Sequence, residues 1–203
     1  GPVIQEADLR ALSAGTTTDA LFEMVEKLRK EIDIPFVFMS YMNPLYVYGT
    51  QRFMKRCKEV GIDGVIIPDV PFEEKDELSQ FCKEFGIELI SMIAPTSQER
   101  IEMIAKEAEG FLYCVSSLGV TGVRKEIRTD IAGMVEHVRK VTDVPVAVGF
   151  GISTPEQAKK MAAVSDGAIV GSAIVKIVAQ YQKDAKPYIA EYVKSMKTAL
   201  LEL

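Results

Sequence analysis

The chain has 203 residues, 48 % of them hydrophobic, and a formal net charge of −5. That composition supports a sizeable core and excludes a disordered chain, and the negative balance gives no reason to expect nucleic acid or an anionic membrane as partner. No apolar run approaches the roughly 18 residues of a membrane span. Three cysteines, Cys57, Cys82 and Cys114, lie far apart without a CxxC pair, and the one histidine is His137. This usage suits core or surface thiols in a reducing cytoplasmic setting and supports no metal site. His137 sits among charges in a helical stretch and reads as a solvated helix residue.

In chain order, a helical pattern over 19–31 opens at Thr18-Asp19 and leads into the apolar run IPFVFMS (34–40). A helix over 50–60, closed by Gly61, precedes GVIIPD (64–69), and one over 73–85, closed by Gly86, precedes IELISMI (87–93). Ser97 with Glu99 starts a helix over 97–108 before FLYCVSS (111–117). Thr129-Asp130 starts one over 129–141 before VPVAVGF (144–150), and Thr154 with Pro155 starts one over 155–163 before GAIVGS (167–172). A short helix over 172–180 and a long one over about 185–201 complete the pattern. The apolar runs are continuous rather than alternating, as strands buried on both faces should be.

The chain nearly repeats itself. Asp33-Ile34-Pro35-Phe36-Val37 resembles Asp143-Val144-Pro145-Val146-Ala147, and Asp63-Gly64-Val65-Ile66-Ile67 resembles Asp166-Gly167-Ala168-Ile169-Val170. A pair of βα units thus occurs twice, at the spacing of two half-barrels. Strict βα alternation implies a parallel sheet with right-handed crossovers. A doubly wound open sheet is the rival, but its GxGxxG after the first strand is absent. The pattern predicts a (β/α)8 TIM barrel as a single domain over 1–203. Only six runs are present where a barrel needs eight strands. The chain therefore reads as strands three to eight of a barrel that is incomplete at its N-terminal side.

In such a barrel, ligands bind at the carboxyl ends of the strands, and phosphate is held by the last two βα loops and a short extra helix. Gly149 and Gly151 follow the seventh barrel strand, and Gly171 and Ser172 follow the eighth. Glycines let a backbone approach an anion, and a helix start supplies free N–H donors. Two tight turns would give the same glycines. The stretch SLGVTGVR (117–124), with Gly119, has the composition of a lid and equally of a plain loop. Asp69, at the end of IPD, is open to catalysis, helix capping or a charge pair. Tyr41 and Asn43 follow the third barrel strand. Phe38, Ile66, Ile93, Tyr113 and Phe150 make the mouth apolar, which suits a flat apolar ligand carrying a phosphate or simply an upper core layer.

The motifs GPVIQEA, YMNPLYVYG, DGVIIPDVPFEE, IAPTS, GFLYCVSSLGVTGVR, VAVGFGISTPEQA and DGAIVGSAIVK, in this order, resemble the α subunit of tryptophan synthase. The resemblance spans the whole chain. It implies a lyase that cleaves indole-3-glycerol phosphate by a retro-aldol step to indole and glyceraldehyde 3-phosphate, with no cofactor of its own. Indole then passes to a pyridoxal-phosphate-dependent β subunit in an α2β2 complex. By motif, Gly122, Gly151 and Ser172 fall on phosphate-binding positions, with Gly149, Phe150 and Gly171 adjoining. Ile4, Ile66, Ile93, Tyr113 and Phe150 fall where the indole ring packs. Gly119 and Thr121 belong to the lid, and Asn43 and Pro44 match the segment facing the β subunit. The family's two catalytic carboxylates fall before Gly1, so the resemblance implies no catalytic residue within these 203. Two other readings stay open: a non-catalytic barrel that binds phosphate or docks on a β subunit, and another phosphate-binding barrel such as a sugar-phosphate isomerase or epimerase.

Overall fold

The computed structural model describes residues 1–116, 130–149 and 151–202. Seven strand segments are assigned among these residues: β1 (Val37–Met39), β2 (Gly64–Ile66), β3 (Glu88–Leu89), β4 (Met92–Ile93), β5 (Leu112–Val115), β6 (Val146–Gly149) and β7 (Gly167–Ala168). All pairings are parallel, and each strand lies beside the next in the chain, in the orders β1-β2-β3 and β4-β5-β6-β7. A doubly wound sheet reverses its order at a switch point. No reversal occurs here, so the arrangement is that of the (β/α)8 barrel. β1 and β7 are the outermost strands, and no ladder joins them among the described residues.

The run 87–93, read as one strand, is a single bent segment that changes partners between Ile90 and Ser91. The Ile90 N–H donates to the Val65 carbonyl at 2.9 Å, continuing the ladder to β2. One residue later the Ser91 carbonyl accepts from the Tyr113 N–H at 3.0 Å, starting the ladder to β5. At the other end of the sheet, the ordered strand stops at Ala168 rather than running to Ser172, because Gly171-Ser172 already turn into a helix.

The helices are α1 (Pro2–Ser13), α2 (Thr18–Leu28), α3 (Met42–Tyr48), α4 (Thr50–Val60), α5 (Asp76–Phe85), α6 (Gln98–Lys106), α7 (Ile131–Arg139), α8 (Pro155–Ala162), α9 (Ser172–Tyr181) and α10 (Lys186–Leu201). Their starts follow side-chain chemistry. Ser97 Oγ accepts from the Arg100 N–H at 3.3 Å, and the Asp130 carboxylate accepts from the Gly133 N–H at 2.9 Å. Thr154 and Gln157 form a reciprocal capping box. The first cap is Thr17 rather than Thr18-Asp19, its hydroxyl accepting from the Ala20 N–H at 3.2 Å. Gly61 and Gly86 end α4 and α5 at φ +80° and +67°, the left-handed conformation that glycine adopts without strain. Sequence patterning missed α1 and α3. α1 buries none of its residues, so it carries no strong apolar stripe. α3 hides behind Pro44 and a β-like Tyr46-Val47-Tyr48 triplet.

Side chains of each strand divide between two layers. Outside, Phe22, Leu45, Met54, Val65 and Leu78 form one core beneath α2 to α5. Leu112, Cys114, Val135, Val146 and Val148 belong to a second, beneath α6, α7, α8 and α10. Inside, Ile66, Ile90 and Tyr113 pack with Val37, Met92 and Ile169.

The internal repeat has a physical counterpart at the amino ends of the strands. Asp63, just before β2, accepts the Phe36 N–H at 2.7 Å and pairs with Arg29 at the end of α2. Asp166, just before β7, accepts the Val146 N–H at 2.8 Å and pairs with Arg139 at the end of α7, 3.4 Å away. Each aspartate thus pins the start of its own strand to the start of the preceding one and to the helix leading into that preceding strand. Arg29 adds donations to the Gly61 carbonyl at 2.8 Å and the Ile34 carbonyl at 2.5 Å. Asp63→Ala removes the acceptor of an exposed Phe36 N–H, which water can replace, and should lower unfolding free energy by about 0.5–1.5 kcal/mol. Asp166→Ala should cost at least as much, because the Val146 N–H it orphans is part-buried. Chemical denaturation of the two variants measures both values.

Candidate functional site

The carboxyl ends of β6 and β7 are adjacent. The Ile169 N–H donates to the Val148 carbonyl at 2.7 Å, and the Ser116 N–H to the Gly149 carbonyl at 3.0 Å. The glycines here have distinct physical reasons. A Cβ on Gly149 would collide first with the Tyr113 hydroxyl and lie 2.6 and 2.7 Å from two of its ring carbons, so glycine makes room for that side chain. Gly151 sits at φ +92°, a turn that glycine favours. Gly171 has neither constraint: its φ is −122°, and a Cβ there would meet no described atom within 4 Å. It precedes Ser172 at the start of α9, where no side chain among the described residues caps the first backbone N–H groups.

Ile66 and Tyr113 meet in the inner layer, each less than 10 % exposed. Ile93 does not join them. It is paired in register with Cys114 and packs in the outer core with Ile101 and Ile104, whereas Met92, paired with Tyr113, takes the inner position. This corrects the expectation for Ile93 and adds Met92, which a continuous apolar run could not distinguish by sequence. Phe38 likewise packs outward, against Phe22 at a ring-centroid distance of 5.6 Å. Ile4 lies half-buried in the first turn of α1. Gly119, Thr121, Gly122 and Phe150 lie outside the described residues. Asn43 and Pro44 are exposed on the first turn of α3, near the strongly exposed Tyr46 and Val47. The Asp69 carboxylate caps that helix, accepting the Met42 N–H at 2.9 and 3.1 Å through its two oxygens. Capping is therefore the role the structure gives it.

Among the described residues the buried polar side chains are Ser116 and Ser165, so no carboxylate is buried at the inner face. No group of metal-ligating side chains occurs among them either. A cavity of about 200 Å³ lies between the 67–75 segment, the 89–96 segment and α6, lined by Ile67, Phe72, Lys75, Leu89, Met92 and Arg100 among others. Its cations are committed: Lys75 pairs with Glu107, and Arg100 grips both oxygens of Glu73 at 2.5 and 3.1 Å, holding that carboxyl down to about 2. His137 is half-buried rather than a freely solvated helix residue. Its imidazole lies 3.8 Å from Glu102 across α6 and α7, and Nδ1 is buried with no hydrogen-bond partner among the described residues. All three cysteines are buried free thiols, and burial pushes each up to about 12.

The family model for the tryptophan synthase alpha chain matches residues 1–200. The chain belongs to the tryptophan synthase alpha chain family. Among similar proteins, the tryptophan synthase alpha chain of Lacticaseibacillus casei is 46 % identical over 200 residues, covering 98 % of this chain and 75 % of that protein. The alpha chain of Thermoanaerobacter pseudethanolicus is 47 % identical over 204 residues, covering all of this chain and 77 % of its relative. The solved alpha subunit of Legionella pneumophila str. Paris superposes with a TM-score of 0.88 at 33 % identity, covering 100 % of this chain and 77 % of that one. The tryptophan synthase α2β2 complex of Pyrococcus furiosus gives a TM-score of 0.85 at 30 % identity, covering 98 % of this chain and 80 % of the matched one. The chain thus spans about three quarters of the length of these alpha chains. Seen as an alpha chain, its glycines at the β6 and β7 exits and its inner Ile66 and Tyr113 occupy one end of one barrel.

Gly149→Ala should destabilise the fold by about 1–3 kcal/mol through overpacking. Tyr113→Phe should rescue it only in part, because it removes the hydroxyl, the nearest atom, but leaves ring carbons at 2.6 and 2.7 Å. Thermal melts of the single and double variants decide this. Native protein should react with a thiol reagent far more slowly than denatured protein, because the three thiols are buried and protonated at neutral pH. Absorbance at the reagent's chromophore reads that difference.

Proposed function

We propose that this chain is the alpha-reaction lyase of tryptophan synthesis, cleaving indole-3-glycerol phosphate to indole and glyceraldehyde 3-phosphate. The observation that carries the reading is the joining of an apolar inner face, built on Ile66, Met92 and Tyr113, to a glycine-lined anion cradle at adjacent strand ends. A phosphate on Gly149, Gly151, Gly171 and Ser172, with Gly122 and Phe150 adjoining, would lie at the start of α9. The indole would lie against Ile66, Tyr113 and Ile4. The bond between indole C3 and the glycerol carbon breaks as C3 takes up a proton and the adjacent hydroxyl gives one up. The family resemblance assigns those transfers to two carboxylates that precede Gly1, and Asp69 is already committed to capping α3. The cleavage takes no cofactor in this chain; pyridoxal phosphate serves the β subunit.

The same reading makes the β subunit the partner. α3 presents Asn43, Pro44 and an apolar pair, Tyr46 and Val47, that are 74 % and 77 % exposed. Large exposed apolar side chains grouped on one short helix suit a protein interface. We place the protein in the cytoplasm: its three free thiols suit a reducing compartment. No helix among the described residues is long and apolar enough to cross a membrane. A sugar-phosphate isomerase or epimerase is disfavoured, because a sugar needs polar partners that the inner face lacks.

The deciding assay mixes the protein with a tryptophan synthase β subunit and follows indole or tryptophan formed from indole-3-glycerol phosphate. Turnover supports the lyase; phosphate binding without turnover supports the binding-only role. Gly171→Asp tests the cradle itself. Its side chain enters open space, so melting should change little. The added carboxylate should weaken phosphate-ligand binding about tenfold or more through like-charge repulsion. Calorimetric titration with glyceraldehyde 3-phosphate reads the change.

A further inference from the structure

We propose that Tyr188 and Tyr192, one helical turn apart on α10, are positioning residues that hold the two halves of the anion cradle in register. The proposal rests on reading the β6 and β7 exits as a phosphate site. α10 is itself well anchored. Met196 is buried in the outer core, and Glu202 just beyond the helix pairs with Lys159 of α8 at 3.1 Å. From this fixed helix, the Tyr192 hydroxyl donates to the Ser153 carbonyl at 2.8 Å. Ser153 closely follows Gly151 in the turn leaving β6. Its N–H in turn donates to Gln157 Oε1 at 2.8 Å, so the turn is gripped from both α8 and α10. Burial pushes the Tyr192 hydroxyl up, which keeps it a donor at neutral pH.

The second half of the cradle is the start of α9. That helix buries none of its residues, and its N-terminal glycine makes no side-chain cap. The chain leaves its far end through Gln182 at φ 49° and ψ −123°, a conformation that favours glycine. The Tyr181 ring spans this reversal and stacks on Tyr188 of α10, with centroids 3.5 Å apart and planes 9° from parallel. A helix with no buried residue takes its direction from what grips its ends. Here one grip is α10, and the other is its packing against α1. One tyrosine of α10 therefore sets the β6-exit turn, and the other sets the helix whose first N–H groups complete the cradle. Neither ring touches the anion; both act through backbone they hold.

The test is calorimetric titration of the purified chain with inorganic phosphate, with a thermal melt of every variant. Tyr192→Phe removes only the hydroxyl oxygen, and Tyr188→Ala removes the stack. Each should weaken phosphate binding about three- to tenfold, the scale of one lost hydrogen bond or a slight misplacement. Tyr188→Phe keeps the stacked ring and should bind as the unaltered protein does. A Tyr192→Phe protein that melts normally yet binds phosphate weakly supports positioning over general stability. Unchanged affinity in both Tyr192→Phe and Tyr188→Ala overturns the proposal. Failure of the unaltered chain to bind phosphate at all removes the cradle reading and this proposal with it, and it is seen before any variant is compared.

Discussion

A carboxylate gripping a backbone N–H at the foot of a strand is the contact on which the rest of this barrel depends. Parallel strands have no hairpin to set their register. Asp63 and Asp166 supply that reference, each tying the start of its strand to the start of the one before and to an arginine at a helix end. Surface ion pairs alone contribute little. The part of each clamp that matters is the N–H that would otherwise lack a partner. With the register fixed at the amino ends, the carboxyl ends arrive in a defined order, and the exits of β6 and β7 come to lie side by side.

At those carboxyl ends the glycines serve different masters. Gly149 exists for packing, because the Tyr113 ring occupies the volume a side chain would need. Gly151 exists for its backbone angle. Gly171 is explained by neither: a Cβ there would meet no described atom within 4 Å. Packing and backbone angle thus account for Gly149 and Gly151 without a ligand, and the proposed anion site leans on Gly171.

Much of the architecture was legible in the sequence, because it rests on local chemistry. Ser97, Asp130 and Thr154 announce helices, Gly61 and Gly86 end them, and the repeated Asp-Gly before two apolar runs marks the duplicated clamp. What was not legible rests on direction. Strands buried on both faces show no alternation, so nothing in SMI says that Met92 faces inward and Ile93 outward. The partner change between Ile90 and Ser91 is set by neighbouring strands and leaves no trace in composition. α3 escaped because its proline and aromatic residues read as a loop, though Pro44 is at home in a first helical turn. The burial of His137 against Glu102 came from the docking of α7 on α6, which a helix pattern alone does not fix.

The bend between Ile90 and Ser91 also divides the molecule by cohesion. The outer core under α2 to α5 and the outer core under α6, α7, α8 and α10 are separate clusters, joined by the thin inner layer and by this one shared segment. Cooperative units of a protein follow contiguous packing, and local opening begins where few buried contacts cross. The seam at Ile90 and Ser91 is therefore where the two sides are expected to open separately, Leu45 of α3 with the first and Met196 of α10 with the second.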